Sequence, residues 1–433
     1  MKSRRLLILT ALLALLPAAF PAIVGAQTQP APTLAYIKDG NVWLRYADNT
    51  DRALTDDARP VRFNAAYPPS YEVGYAFPRW SPNGKWLAFV RVDSADRTLY
   101  VADVTQPEIK LEPLATGLAV AFPPSWQVDN PDPIIAYALS TNQYDANGQE
   151  TLNVFAIAPE DPAREALMLG SFGFTTGCGG GTSDPAAALH WAETVSLGGN
   201  SLIFGWAGAR LVHATNCGGA GVAVLDLNAQ TDTPVADDLA RVVLSNDGGF
   251  IAGVGPRAEG EPARVHIYNL SKLDTPHRTF VATEDPLISV GHLAWNPSTT
   301  GVFFSLHQFV EERTTDAAQE QRALQVFGQS PVSIRVNFCG LRFYNLIDDS
   351  NNRLYTWSAY AFANIVVLDS NHVAFTQIDN ANVWFDLFTQ GKGAADLSYN
   401  IPRADVVRVT LNPAGSDLFI ERAGQVAVRP EAR

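Results

Sequence analysis

The sequence predicts an all-β protein built from one hairpin repeated along the chain, and three observations carry that. Apolar strands of four or five residues return at intervals of about 50 residues. A tryptophan recurs just ahead of the first turn of the repeat, at Trp80, Trp126, Trp191 and Trp295. Only one segment, an insertion after Glu311, has helical periodicity.

The clearest copy runs FPRWSPNGKWLAFVRVDSADRTLYVADV, from Phe77 to Val104. Trp80 ends a first strand. Ser81-Pro82-Asn83-Gly84 is a tight turn, because Pro fixes φ and Asn-Gly tolerates positive φ. Trp86 to Val90 reads as a second strand and Thr98 to Val104 as a third with alternating character. Such a hairpin cannot bury its own apolar face and needs stacked copies of itself.

Taken in order, second strands resembling Trp86 to Val90 recur at Leu34–Ile37, Ile134–Tyr137, Ser201–Phe204, Phe250–Ala252, Gly301–Phe304, His372–Phe375 and Asp417–Ile420. Third strands follow, ending in Asp or Asn, as at Asp226, Asn269, Asn345 and Asp386. Three or four short strands per unit describe a blade, and the chain is expected to fold as a β-propeller of seven or eight four-stranded blades. Eight is preferred on the hairpin count, with incomplete first and last units meeting at the seam. Seven requires the two ends to share one blade. A β-sandwich is the competing class, but its strands would not return in register with Trp at one position.

The turn Trp80-Ser81-Pro82-Asn83-Gly84-Lys85 and the strand after it resemble the repeat of TolB-like, WD-type propellers, usually Trp-Ser-Pro-Asp-Gly-Lys followed by an apolar strand. Asp39-Gly40-Asn41-Val42-Trp43 and Leu54-Thr55 fit the same repeat, and Trp295-Asn296-Pro297 and Leu411-Asn412-Pro413 keep parts of it. The resemblance implies a periplasmic interaction module.

Lys2, Arg4 and Arg5 precede an apolar run from Leu6 to Phe20, and Val24-Gly25-Ala26 offers small residues at a cleavage point. Residues 1–26 are therefore expected to be a cleaved signal peptide and 27–433 a single exported domain, periplasmic or extracellular, with no later membrane span. Cleavage would move the net charge from −13 to −16. That balance disfavours nucleic acid and anionic lipid as partners.

Loops between second and third strands share a face with the crossovers between blades. Here they are expected to be long, at Thr141–Glu150, Ala207–Gly221, Gly255–Ala263 and His307–Asn337, which makes this face the expected binding surface. On it, Phe63, Tyr67, Tyr71 and Tyr75 flank Pro68-Pro69 and could stack on a sugar, seat a peptide, or plug the channel mouth. The insertion from Glu311 to Phe327 pairs Asp316 with Gln319 as a helix start and brings Leu324 and Phe327 near its end, as a docking segment or a loop. Asp145 to Glu150 has oxygen ligands but is too short for a calcium loop.

Cys178 and Cys217 each precede two glycines and reach the same face of one blade, so they are expected to form a disulfide, with Cys339 left as a small core residue. No Gly-x-Ser-x-Gly, His-Glu-x-x-His or glycine-rich phosphate loop occurs, and the sequence assigns no catalytic residue, metal ligand or cofactor. The expected function is a non-enzymatic module that binds an envelope protein or cell-wall component. A carbohydrate- or peptidoglycan-binding propeller and a hydrolase or lyase at the channel mouth are the alternatives.

Overall fold

The computed structural model describes residues 32–430 except 61–70, 94–95, 119–122, 145–148, 162–164, 176–202, 216–219, 259, 314–316, 318–320, 322–331, 358–360, 379–381 and 384–403. Its strands are antiparallel and fall into four-stranded groups, each running from an innermost to an outermost strand. The second group, for example, runs Tyr71–Trp80, Trp86–Asp93, Asp96–Asp103 and Leu111–Thr116. One long strand, Thr231–Leu244, belongs to two groups. Its first half is outermost in the fourth group, its second half is innermost in the fifth, and Ala240 pairs on both sides. Counted this way, the described strands make seven groups of four.

The chain closes on itself. Ala423–Val428 pairs with Pro32–Lys38, so the C-terminal strand becomes the innermost strand of the first group. The seven innermost strands then touch in a cycle: Ala423–Val428, Tyr71–Trp80, Ser125–Trp126, Ile203–Ala207, Thr231–Leu244, Ile288–Trp295, Ala361–Val367 and back to the first. One buried apolar cluster lies between each neighbouring pair of groups, seven in all. The core is therefore a ring of interfaces around an axis, which is the β-propeller arrangement.

The recurring tryptophans explain how neighbours are tied. The indole Nε1 of Trp80 donates to the carbonyl of Ala427, that of Trp126 to Arg79, and that of Trp295 to Val243, each at 3.1 Å and each on the preceding innermost strand. A buried indole needs such an acceptor. The tight turns are also closed by side chains, with Ser81 Oγ accepting from Trp86 N and Ser245 Oγ from Phe250 N, both at 2.9 Å.

Several sequence expectations change. Ile203–Ala207 is an innermost strand, followed by a tight turn at Gly208 with φ 53° and a second strand at Arg210–Ala214. Ser201–Phe204 was expected as a second strand behind Trp191; instead Trp206 occupies the position before the turn, and Trp191 lies outside the described residues. Asp417–Ile420 was expected to open an eighth hairpin. Gly415–Ile420 instead pairs only outward of Ala404–Thr410, as the outermost strand of the seventh group. The eighth unit disappears because the strand after it is drawn to the N-terminal sheet.

The expected long loops divide. Gly255 to Ala263 is a loop between strands, whereas Ala207 to Gly221 contains the Arg210–Ala214 strand. The described ends of Thr141–Glu150 and His307–Asn337 extend their hairpins, with Gly301–Arg313 and Val332–Asn345 forming an arm of 13 and 14 residues. Glu311 to Arg313 are strand rather than helix, while Ala317 and Gln321 have helical backbone.

Candidate functional site

Five innermost strands carry a β-bulge, four of them at the same register from the turn and the one in Ile288–Trp295 a residue farther from it. Two residues oppose one on the second strand: Phe77 and Pro78 against Phe89, Arg241 and Val242 against Gly253, Gly291 and His292 against Ser305, Asn364 and Ile365 against Phe375, and Gln425 and Val426 against Tyr36. The first residue of four of them has positive φ: Phe77 58°, Arg241 55°, Asn364 47° and Gln425 50°. A non-glycine residue held there costs on the order of 1–3 kcal/mol and persists only when its surroundings dictate it. Tyr36, Phe89 and Phe375, opposite three of the bulges, are fully buried and each contributes roughly 1.5–3 kcal/mol.

A bulge frees backbone groups from the ladder. Here the side chain of one bulge satisfies the next blade. Gln425 Oε1 accepts from Phe77 N at 2.7 Å, Asn364 Nδ2 donates to Val426 O at 3.2 Å, and Arg241 Nη1 donates to Val290 O. The channel wall is thus a polar collar that holds the blades in phase.

One turn nearer the tryptophan end lies a second set of equivalent positions, fixed by the register immediately before the turn. They are Arg79, Ser125, Gly205, Val243, Ala294, Val366 and Ala427, opposite Ala88, Ala136, Val212, Ala252, Phe303, Ala374 and Ala35. Six are small or aliphatic and one is an arginine. Arg79 is exposed, yet desolvation by the protein around it draws its guanidinium below the ordinary arginine range. Its guanidinium makes one long contact, Nη1 to Pro78 O at 3.5 Å.

On the crossover face, Tyr75, Asp57, Arg91 and Asp93 form a network. Tyr75 donates its hydroxyl to Asp57 Oδ1 at 2.6 Å, and Arg91 bridges Asp57 at 3.3 Å and Asp93 at 2.9 Å. Burial raises Tyr75 well above its usual value and the bond to Asp57 raises it further. Burial pushes Asp57 up as well, but its bonds to Tyr75 and Arg91 outweigh that and hold it below the usual carboxylate value.

The sequence-predicted residues are not gathered into one site. Tyr75 is 7% exposed, edge-on to Phe89 with ring centroids 5.7 Å apart, so it is a core residue and not part of an aromatic shelf. Tyr71 lies in the innermost strand of the second group. Phe63, Tyr67, Leu324, Phe327, Cys178 and Cys217 lie outside the described residues, as does most of Asp145 to Glu150. Cys339 is fully buried in the cluster with Val373 and Phe375, as a core position. Among the described residues no group of three or more His, Cys, Asp or Glu side chains is placed to hold a metal ion, and no helix is long and apolar enough to cross a membrane. Sequence reasoning missed the bulge side chains such as Gln425, whose bond to the next blade shows only once the strands are paired.

No protein-family model matches the chain, and no curated protein does. Among solved structures it is similar to TolB from Acinetobacter baumannii, at 14% identity and a TM-score of 0.41 over 76% of this chain. That match spans 64% of the TolB chain, less than two thirds of it. It is also similar to oligogalacturonate lyase from Vibrio parahaemolyticus, at 10% identity and a TM-score of 0.44, covering 90% of this chain and 85% of that one. A putative TolB from Agrobacterium tumefaciens matches at 10% identity and a TM-score of 0.37, over 76% and 91%. Likenesses at these values speak to no reaction, ligand or partner, and the propeller arrangement stands on the cyclic contact of the innermost strands.

Proposed function

We propose that this chain is an exported, non-enzymatic propeller of seven blades that binds a protein or cell-wall component of the envelope through its crossover face. The observation that carries the reading is the arm made by Gly301–Arg313 and Val332–Asn345, whose strands are about twice the usual length and run out on that face. Its free edge is covered by Asn382–Val383 from the next blade, which pairs with Arg335 and Ile334. Covering an edge in this way blocks open-ended strand addition. Signal cleavage after Ala26 and a Cys178–Cys217 bond belong to the same proposal. Both cysteines lie outside the described residues, and the pairing rests on the two glycines that follow each of them in the sequence.

The test is a pull-down from envelope extract with the mature protein and with a variant in which residues 314–331 are replaced by a two-residue turn. The proposal expects one partner captured by the parent and lost in the variant at an unchanged melting temperature. Capture of the same partner by both forms would move the binding surface away from the arm.

A further inference from the structure

We propose that the outermost strand of the third group, Leu167–Thr175, pairs antiparallel with the same strand of a second copy of this chain, joining two propellers rim to rim. An outermost strand presents unpaired N–H and C=O groups and accepts another strand unless something deters it. Six of the seven outermost strands carry such a deterrent charge. Asp51–Ala53 has Asp51, Leu111–Thr116 has Glu112, and the outermost half of Thr231–Leu244 has Asp232. Arg278–Val281 has Arg278, Asn351–Trp357 has Arg353, and Gly415–Ile420 has Asp417. Leu167–Thr175 reads LMLGSFGFT, nine residues with neither a charge nor a proline.

The geometry of this edge agrees with its composition. Leu167 and Met168 are 67% and 48% exposed, so the strand leaves apolar side chains bare. A bulge at Leu169 does not set it apart, because the charged edges have bulges of their own at Leu114, Leu354 and Phe419. Beyond it, Gly170 to Thr175 run in unbroken register with Val154 to Gln149. The occupant follows from charge. Each chain carries −13, so two copies repel unless they meet on neutral surface. About a two-fold axis an antiparallel strand brings each residue opposite itself or a near neighbour, and a charge near its middle then faces its own copy. Arg353 would do so on Asn351–Trp357, whereas Leu167–Thr175 has no charge to bring together. In full register its middle residue, Ser171, lies opposite its own copy. This rim is separate from the arm, and it survives or fails independently of what the crossover face binds.

Sedimentation velocity over a rising concentration series tests it, with the mature protein, Ser171→Lys, Met168→Lys and Leu287→Lys. Ser171 is exposed on the strand, and Leu287, 68% exposed just ahead of Ile288–Trp295, is the control. The parent and Leu287→Lys should dimerise alike. Ser171→Lys should weaken the dimer by about tenfold or more, because it sets two lysines side by side, although it lowers the repulsion between the chains as a whole. Met168→Lys, which charges the strand away from its middle, should weaken it less. A parent that stays monomeric throughout overturns the second copy as the occupant. Dimerisation of Ser171→Lys as strong as the parent's overturns the edge. Should Ser171→Lys fail to fold, Met168→Lys decides, and parent-like dimerisation there overturns the edge in the same way.

Discussion

Gln425 Oε1 accepts a hydrogen bond from Phe77 N at 2.7 Å across 348 residues of sequence. The acceptor belongs to the last strand of the chain and the donor to the first bulge of the second group. Gln425→Leu should strip the Phe77 amide of its acceptor and lower stability by about 1–3 kcal/mol. Gln425→Glu, which retains an acceptor oxygen, should cost less. Urea unfolding monitored by circular dichroism measures both, and equal losses would show that bulk rather than the bond matters.

The indole contacts between blades predict additivity. Trp80→Phe and Trp295→Phe each remove a 3.1 Å bond to a neighbouring strand while keeping an aromatic ring. Each should cost about 1–2 kcal/mol including the lost ring. They sit in different interfaces, so the double variant should equal the sum to within about 0.5 kcal/mol.

The strand pattern was legible wherever the turn chemistry was intact. Trp80 with Ser81-Pro82-Asn83-Gly84 marks the end of an innermost strand and the tight turn after it, and Trp295 stands at the equivalent place in its group. The fourth group was misread because Trp206-Ala207-Gly208 makes the same turn without Ser, Pro or Asn, through the positive φ of Gly208. The seam was misread because Ala423–Val428 is short and broken by Gly424 and Gln425, and its pairing with the first strand, as at Leu34↔Val428, spans 394 residues, beyond anything periodicity can see. The site was less legible than the fold. Tyr75 reads as a loop aromatic in sequence, but the extension of its strand turns it onto Phe89.

Two glycines give a matched pair. A Cβ at Gly291 would lie 2.5 Å from both His307 Cε1 and Ser305 Oγ, whereas one at Gly415 meets nothing within 4 Å. Gly291→Ala should lose about 1–3 kcal/mol, and Gly415→Ala should stay within about 0.5 kcal/mol of the parent by thermal melting.

His266 predicts a pH dependence. Its pKa lies below the ordinary 6.5, chiefly through burial and then through Arg264, and its Nδ1 lies 3.0 Å from Thr279 Oγ1. The folded state therefore resists protonation that the unfolded chain accepts. Its contribution is full above 6.5 and is lost as pH falls through that value toward the lower folded pKa. His266→Gln should flatten the stability profile between about pH 7 and pH 5. A profile identical to the parent would remove His266 as the cause.

Closure of the ring by the two ends of the chain underlies the channel, the bulge collar and the two faces, and one cross-link tests it. Ala35 pairs with Ala427 in the seam sheet. Directly opposed residues of an antiparallel pair have Cα atoms roughly 4.5–5.5 Å apart, inside the range of about 4.4–6.8 Å that a disulfide spans. In the double variant Ala35→Cys, Ala427→Cys, non-reducing peptide mapping after mild oxidation should recover a peptide joining positions 35 and 427 in nearly all of the folded protein. Recovery of both as unlinked thiols from folded protein would mean that the ends do not share a sheet, and the seven-membered ring would be wrong.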